Sequence, residues 1–164
     1  MKLRTLTSAD AEEFHALHIE GVETYPTAFL RSVAEVRATS PERTAHMLDS
    51  GKMTGAFSED ALVGFAGLGR NDFASARHRA QVGPFYVNPA FQGQGAAQAL
   101  MDALVTRALG LGCLQMELYV WSGNPRAQRF YTRNGFEQVG VVPRSVIIDG
   151  VPYDDLFMVR LLDR

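Results

Sequence analysis

The sequence predicts an α/β chain, a mixed α+β sandwich in which strands and helices alternate. Three observations carry this. Apolar spacing switches repeatedly between the period-two pattern of strands and the three- and four-residue spacing of helices, turn signals of the hairpin kind stand in both halves, and a glycine-bearing turn joins a strand to the longest helix of the chain. With 164 residues, 46% hydrophobic and 21% charged, the chain can bury roughly 70% of the surface it exposes unfolded. It shows no linker, low-complexity tract or internal period, so residues 1–164 are read as a single domain.

Taken in order, Lys2 to Leu6 reads as a short strand, and Ser8 or Asp10 can cap a helix running to about Gly21 with Phe14, Leu17 and Val22 on its apolar side. Ser32-Val-Ala-Glu35 has capping-box spacing. Ser40-Pro41 restarts a helix, because proline tolerates the first helical position, where its missing N–H costs nothing. Met53 to Phe57 and Ala61 to Leu68, with a turn at Ser58-Glu-Asp60, form a hairpin pattern, and Arg79 to Val87 is a further strand. The clearest helix follows, marked by Ala97, Leu100, Met101, Leu104 and Ala108, and stops at Gly110 and Gly112. Leu114 to Val120 is apolar on both faces apart from Gln115 and Glu117, as a centrally buried strand is. Asn124-Pro125 opens a helix that closes at Asn134-Gly135. Phe136 to Val142 is the next strand, and Asp149-Gly150 sets Arg144 to Ile148 against a final strand from Asp155 to Leu162.

Sixteen Lys and Arg against eighteen Asp and Glu leave a formal charge of −2. No basic field draws a nucleic-acid backbone. The longest apolar runs fall far short of the ~20 residues that span a bilayer, so no membrane partner is expected. The start, MKLRTLTSAD, lacks a signal-peptide pattern, and the single Cys113 forms no internal disulfide. A cytoplasmic location is the expectation. Cys113 reads as a small buried hydrophobe. His15 and His18 lack a second ligand pair at suitable spacing, so no metal site is assigned and both are expected on the surface.

The chemistry concentrates in Pro84-Phe-Tyr-Val-Asn-Pro-Ala-Phe-Gln-Gly-Gln-Gly-Ala-Ala-Gln98. Gly93 and Gly95 let backbone amides approach a ligand, and the following helix start presents N–H groups and a positive dipole end suited to a phosphate. A dinucleotide fingerprint fails here: Gln98 stands at the third glycine position, the motif follows several strands, and Glu117 lies inside its strand. A P-loop fails because no Lys-Ser or Lys-Thr follows the glycines.

Val87-x-Pro89-x-x-Gln92-x-x-Gly95-x-Ala97 resembles the acetyl-CoA-binding motif of the GNAT family of N-acetyltransferases. Leu118-x-Val120, Asn124, Ala127, Phe130-Tyr131 and Gly135-Phe136 are similar to that family's next strand-helix-strand unit, and the order of elements agrees over nearly the whole chain. The resemblance implies a splayed, mixed sheet of about seven strands with helices on both faces. It implies acetyl-CoA as cosubstrate, its pyrophosphate on the amides of Gln92, Gly93, Gln94, Gly95, Ala96 and Ala97. The pantetheine arm would lie along Phe85, Tyr86 and Val87, with Asn124, Ala127, Phe130 and Tyr131 completing the cofactor side. A backbone N–H of Phe85 or Val87 would serve the oxyanion.

Aminolysis of a thioester also needs a proton for the departing thiolate, and Tyr131 is the candidate acid. The base is not identified. Many relatives carry a glutamate on the cofactor strand, where this chain reads Arg79-Ala-Gln-Val-Gly83, and Glu117, Glu23 and His78 are weak substitutes. By the same resemblance, acceptor specificity resides in Glu23 to Phe29 and in about Arg144 to Asp155. Tyr25, Phe29 and Tyr153 could form an apolar wall there, with Glu23 or Asp154 attracting a cationic amine, although an exposed loop face is the default reading of each. The implied function is acetyl transfer to a primary amine of a small molecule, amino acid or peptide by direct attack in a ternary complex, by a monomer or homodimer. The alternative is a non-catalytic acyl-CoA-binding module of the same fold.

Overall fold

In a computed structural model, which describes residues 1–163, the chain forms seven strands and five α-helices. Strands are β1 (Lys2–Thr5), β2 (Met53–Ser58), β3 (Ala61–Arg70), β4 (Arg79–Val87), β5 (Gln115–Trp121), β6 (Glu137–Ile148) and β7 (Val151–Leu161). Helices are α1 (Ala11–Thr24), α2 (Val33–Arg37), α3 (Pro41–Asp49), α4 (Ala96–Gly110) and α5 (Pro125–Arg133). The sheet is mixed, in the order β1-β2-β3-β4-β5-β7-β6. By contact density the chain divides into two units, Met1–Leu68 with Gly83–Thr106, and Gly69–Val82 with the chain from Arg107 on. Among the described residues, no helix is long and apolar enough to cross a membrane.

In the first unit β1 and β3 pair antiparallel with β2. Two of the expected caps form: Ser32 and Glu35 exchange the capping-box hydrogen bonds, and Ser40 accepts from the Arg43 amide with Pro41 at the first turn. At α1 neither Ser8 nor Asp10 caps with its side chain, because the Asp10 carboxylate turns back to accept from Arg4 and the Thr7 amide. Phe14, Leu17 and Val22 of α1 are buried with Leu6, Leu48, Phe57 and Phe65. Successive residues of a strand face opposite sides. At Phe65 the β3 side chain meets Phe14 of α1 edge-on at 4.9 Å, whereas a Cβ on the neighbouring Gly64 would meet Leu100 of α4 at 3.4 Å. Helices α1 and α4 therefore cover opposite faces of β3.

Two expectations are corrected here. Helix α1 ends at Thr24 and passes straight through Gly21, whose added Cβ would come within 3.0 Å of the Phe29 ring and 3.1 Å of Tyr86. Gly21 is a slot for two aromatic rings, not a stop. His18 is buried, not a surface residue, because its ring sits among Phe14, Phe29 and Phe65 at centroid distances of 5.4 to 5.6 Å.

In the second unit β4 and β5 run parallel through Arg79↔Gln115, Ala80↔Met116 and Gln81↔Glu117, with α4 lying between them in sequence. β7 pairs antiparallel with both β5 and β6. The terminal hairpin is longer than expected. Asp149 and Gly150 both take positive φ (50° and 79°), the geometry of a two-residue turn that pairs its flanking residues directly, so Ile148 faces Val151 and β7 begins there instead of at Asp155. β6 is likewise one strand of 12 residues. Its register shifts between Val142 and Val146, where Pro143 lacks a donor and Arg144 sits at φ 53°. β5 is also not buried along both faces: Met116, Leu118 and Val120 are buried, but Tyr119 on the other face is 48% exposed and stacks on Phe157 at 4.9 Å.

Candidate acyl-transfer site

Local chemistry shapes the turn after β4. Asn88 accepts from the Ala90 amide and Pro89 opens a single 3₁₀ turn. The Gln92 side chain donates to the Val87 carbonyl at 2.9 Å and the Gln94 side chain to the Ala90 carbonyl at 2.8 Å. Both glutamines thus brace the loop with their side chains. Gly93 (φ 77°) and Gly95 (φ 88°) occupy the left-handed region that glycine adopts without strain, and nothing lies within 4 Å of where their Cβ atoms would be. α4 then starts at Ala96, its first backbone bond running from the Ala99 N–H to the Gly95 carbonyl. The N–H groups before it have no acceptor within the helix. From Pro89 to Ala97 no residue is charged.

Beside this turn stands a polar cluster that the sequence did not reveal. Tyr86 points into the core and donates to Glu20 Oε1 at 2.6 Å, and Asn88 Nδ2 donates to the same oxygen at 2.8 Å. Burial, then the Glu20 carboxylate, raises the Tyr86 phenol above its ordinary value. Glu20 lies far from β4 in sequence, and its place on α1 was the only available signal. Tyr25 and Phe29 pack near Tyr86 at 6.2 and 6.3 Å, so these two candidates do come together, with the Tyr25 hydroxyl 3.5 Å from Gln92 Nε2. Phe29, however, is a core residue and not an exposed loop face.

In the second unit, Asn124 accepts from the Ala127 amide at 3.0 Å and so caps α5, as its position before Pro125 implied. Tyr131 lies edge-on to Phe130 at 5.4 Å and to Phe136 at 5.8 Å. Burial pushes its phenol up to about 12, which keeps the hydroxyl protonated across physiological pH. Tyr153 packs edge-on against Trp121, whose ring lies so close to the Gly123 backbone that a Cβ there would fall 2.3 Å from it. Asp154 accepts from the Arg144 amide at 2.8 Å.

Two of the three candidate bases are engaged in ion pairs, and the third is exposed. Glu117 is clamped by Arg79 through contacts of 2.9 to 3.1 Å, Glu23 pairs with Arg37 at the surface, and His78 is exposed. Reasoning from the sequence missed Asp155, which is 7% exposed: Oδ2 accepts from Ser145 at 2.5 Å and Oδ1 has no partner among the described residues. Cys113 is 2% exposed, donates to the Arg77 carbonyl at 3.7 Å, and has its thiol raised by burial. A raised thiol is a poor nucleophile.

A model of the acetyltransferase (GNAT) family matches residues 13–136. The chain belongs to the GNAT acetyltransferase family. An uncharacterized N-acetyltransferase of Mycobacterium tuberculosis is 30% identical over 168 residues, covering 93% of this chain and 98% of that protein. Among solved structures, the ribosomal-protein-alanine N-acetyltransferase of Brucella melitensis has the same fold, with a TM-score of 0.85 at 22% identity over 98% of this chain and 99% of that one. A GNAT superfamily phosphinothricin acetyltransferase from Sinorhizobium meliloti, solved in complex with acetyl-CoA, matches with a TM-score of 0.83 at 23% identity over 98% and 87%. The GNAT match takes in both β4 with its glycine turn and the β5–α5 segment, the two places where the motif resemblance was found.

Proposed function

We propose that this GNAT protein, acting as one catalytic domain, transfers the acetyl group of acetyl-CoA to a primary amine of a small molecule, amino acid or peptide by direct attack. The observation that carries the reading is the turn from Gln92 to Ala97, with both glycines left-handed, open space where side chains would stand, and uncharged surroundings. These residues fit a pyrophosphate: oriented amides at a helix start bind an anion without a basic side chain. Acetyl-CoA supplies the activated thioester. The chain's own part is to hold its phosphates on the amides of residues 92–97, to line the pantetheine arm along Phe85 to Val87, and to donate a backbone N–H of Phe85 or Val87 to the developing oxyanion.

Tyr131 is the acid in this reading. A phenol raised to about 12 stays protonated until the sulfur of the leaving thiolate becomes basic, and it also stabilises that thiolate by hydrogen bonding. With Glu117 and Glu23 held in ion pairs, the attacking amine loses its proton to solvent or to a water chain. Burial of Cys113, the one cysteine, favours direct attack over an acyl-cysteine route.

Incubating the protein with acetyl-CoA and a panel of amines, amino acids and peptides, and reading thiol release, tests the proposal. At least one class of amine should release CoA above the hydrolytic background. Tight acetyl-CoA binding with no amine-dependent release from any class would make the protein a binding module instead.

A further inference from the structure

Where α1, α2 and α3 meet, a cavity of about 150 Å³ opens between helices that carry no part of the acyl-transfer motif. Its polar lining consists of His15 and His18 from α1, Arg31 from the loop before α2, Thr39 after α2, and Arg43 and Thr44 from α3. No carboxylate lines it. Two of these side chains are more than nine-tenths buried, His18 at 9% and Thr44 at 3% exposure, and neither has a hydrogen-bond partner among the described residues. Their polar atoms are not sealed from solvent, since the buried side-chain atom without a partner among the described residues is Asp155 Oδ1, and the cavity is the opening they reach. His18 is enclosed by the rings of Phe14, Phe29 and Phe65, so the cavity is where its polar edge can find an acceptor. Arg31 is held in place by the Glu35 carbonyl at 2.7 Å and by the Thr39 hydroxyl, which itself donates to Glu35.

The groups facing this space are rich in donors and positive charge and include no carboxylate. A guanidinium has five donors and accepts nothing; Arg31 and Arg43 are exposed and bring ten such donors to the rim of the space, with the Glu35 carboxylate near Arg31. Water can serve these groups one at a time; a compact anion would engage His18, Thr44 and the two guanidinium groups together. We propose that the cavity is a binding site for a compact oxyanion, a phosphate or carboxylate group, held by Arg31 and Arg43 with His15, His18 and Thr44 as further donors. The titration of His18 agrees with this arrangement. Burial, then Arg31, then His15 pushes its imidazole down to about 4. An anion among these groups opposes the last two causes and draws the value back up.

The experiment is an NMR titration of the His18 imidazole with inorganic phosphate and, separately, with acetate, at fixed ionic strength maintained by chloride. A saturable shift is expected, with the His18 pKa rising by about one unit or more at saturation. The anion giving the tighter curve identifies the phosphate or the carboxylate as the preferred group. Arg43→Gln, at an exposed position outside the acyl-transfer motif, should weaken the response at least about tenfold, as loss of a charge-assisted hydrogen bond predicts. Thr44→Val, which keeps shape and loses the hydroxyl, should weaken it less. Acetyl-CoA binding by Arg43→Gln should equal that of the wild type, which separates this site from the acyl-transfer site. A His18 resonance that ignores both anions into the tens of millimolar, or an Arg43→Gln protein that responds like the wild type, would overturn the proposal.

Discussion

Two tyrosines show how one side chain serves opposite ends. Tyr86 gives its hydroxyl to Glu20 inside the first unit, whereas burial raises the Tyr131 phenol, which lies edge-on to Phe130 and Phe136. Tyr131→Phe removes only an oxygen, so fold and acetyl-CoA affinity should change little. Loss of an acid should lower the single-turnover rate about 10² to 10⁴-fold. Single-turnover kinetics are the proper measure because slow product release hides such a loss in steady state. A Phe variant that transfers acetyl at the wild-type rate makes Tyr131 a packing residue. His18 predicts a pH effect on stability. Its folded value of about 4 lies below the ordinary imidazole value of 6.5, so between these limits the unfolded chain binds more protons, and stability falls as pH drops through that window. The loss could reach about 3 kcal/mol from a shift of this size. Chemical denaturation in chloride buffers should show this slope, and His18→Phe should flatten it.

At the scale of elements, the loop between β4 and α4 makes the sharpest prediction. Gly95→Val places a β-branched side chain at φ 88° and in the space assigned to phosphate. Acetyl-CoA should then give no thermal shift. A variant that keeps the full shift would show that the ligand lies elsewhere. At Gly123 the prediction differs: Gly123→Ala must displace the Trp121 ring, and its effect should appear in Trp fluorescence before it appears in cofactor binding. The caps at Ser32, Ser40 and Asn124 and the Asp149-Gly150 turn were legible in the sequence because both partners lie within a few residues of each other. The Arg79–Glu117 pair, the Glu20 cluster and the burial of His18 were not. Each joins side chains from distant elements, and spacing along the chain records only which helix or strand a residue rides on. Gly21 misled for the same reason, since the rings that require it come from Phe29 and from Tyr86 on β4.

For the molecule as a whole, the motif resemblance supplied what local pattern could not: the mixed seven-stranded sheet and the family. The acceptor was not legible, because the segments expected to choose it form a core aromatic group on one side and a strand hairpin on the other. Acetyl-CoA at 100 times its dissociation constant should stabilise the fold by about 2.7 kcal/mol, a rise of roughly 5 to 11 °C in Tm for a chain of this size. A flat titration to millimolar acetyl-CoA would remove the cofactor from the account. The central claim is direct acetyl transfer to an amine, and the most direct test follows the label from radiolabelled acetyl-CoA. With an acceptor amine from the panel present, the label should appear on that amine in an N-acyl bond, with one CoA released for each acetyl moved. Without the amine, the protein itself should remain unlabelled. Label retained covalently on the protein before amine is added, or left on CoA after every amine class has been tried, would contradict the claim.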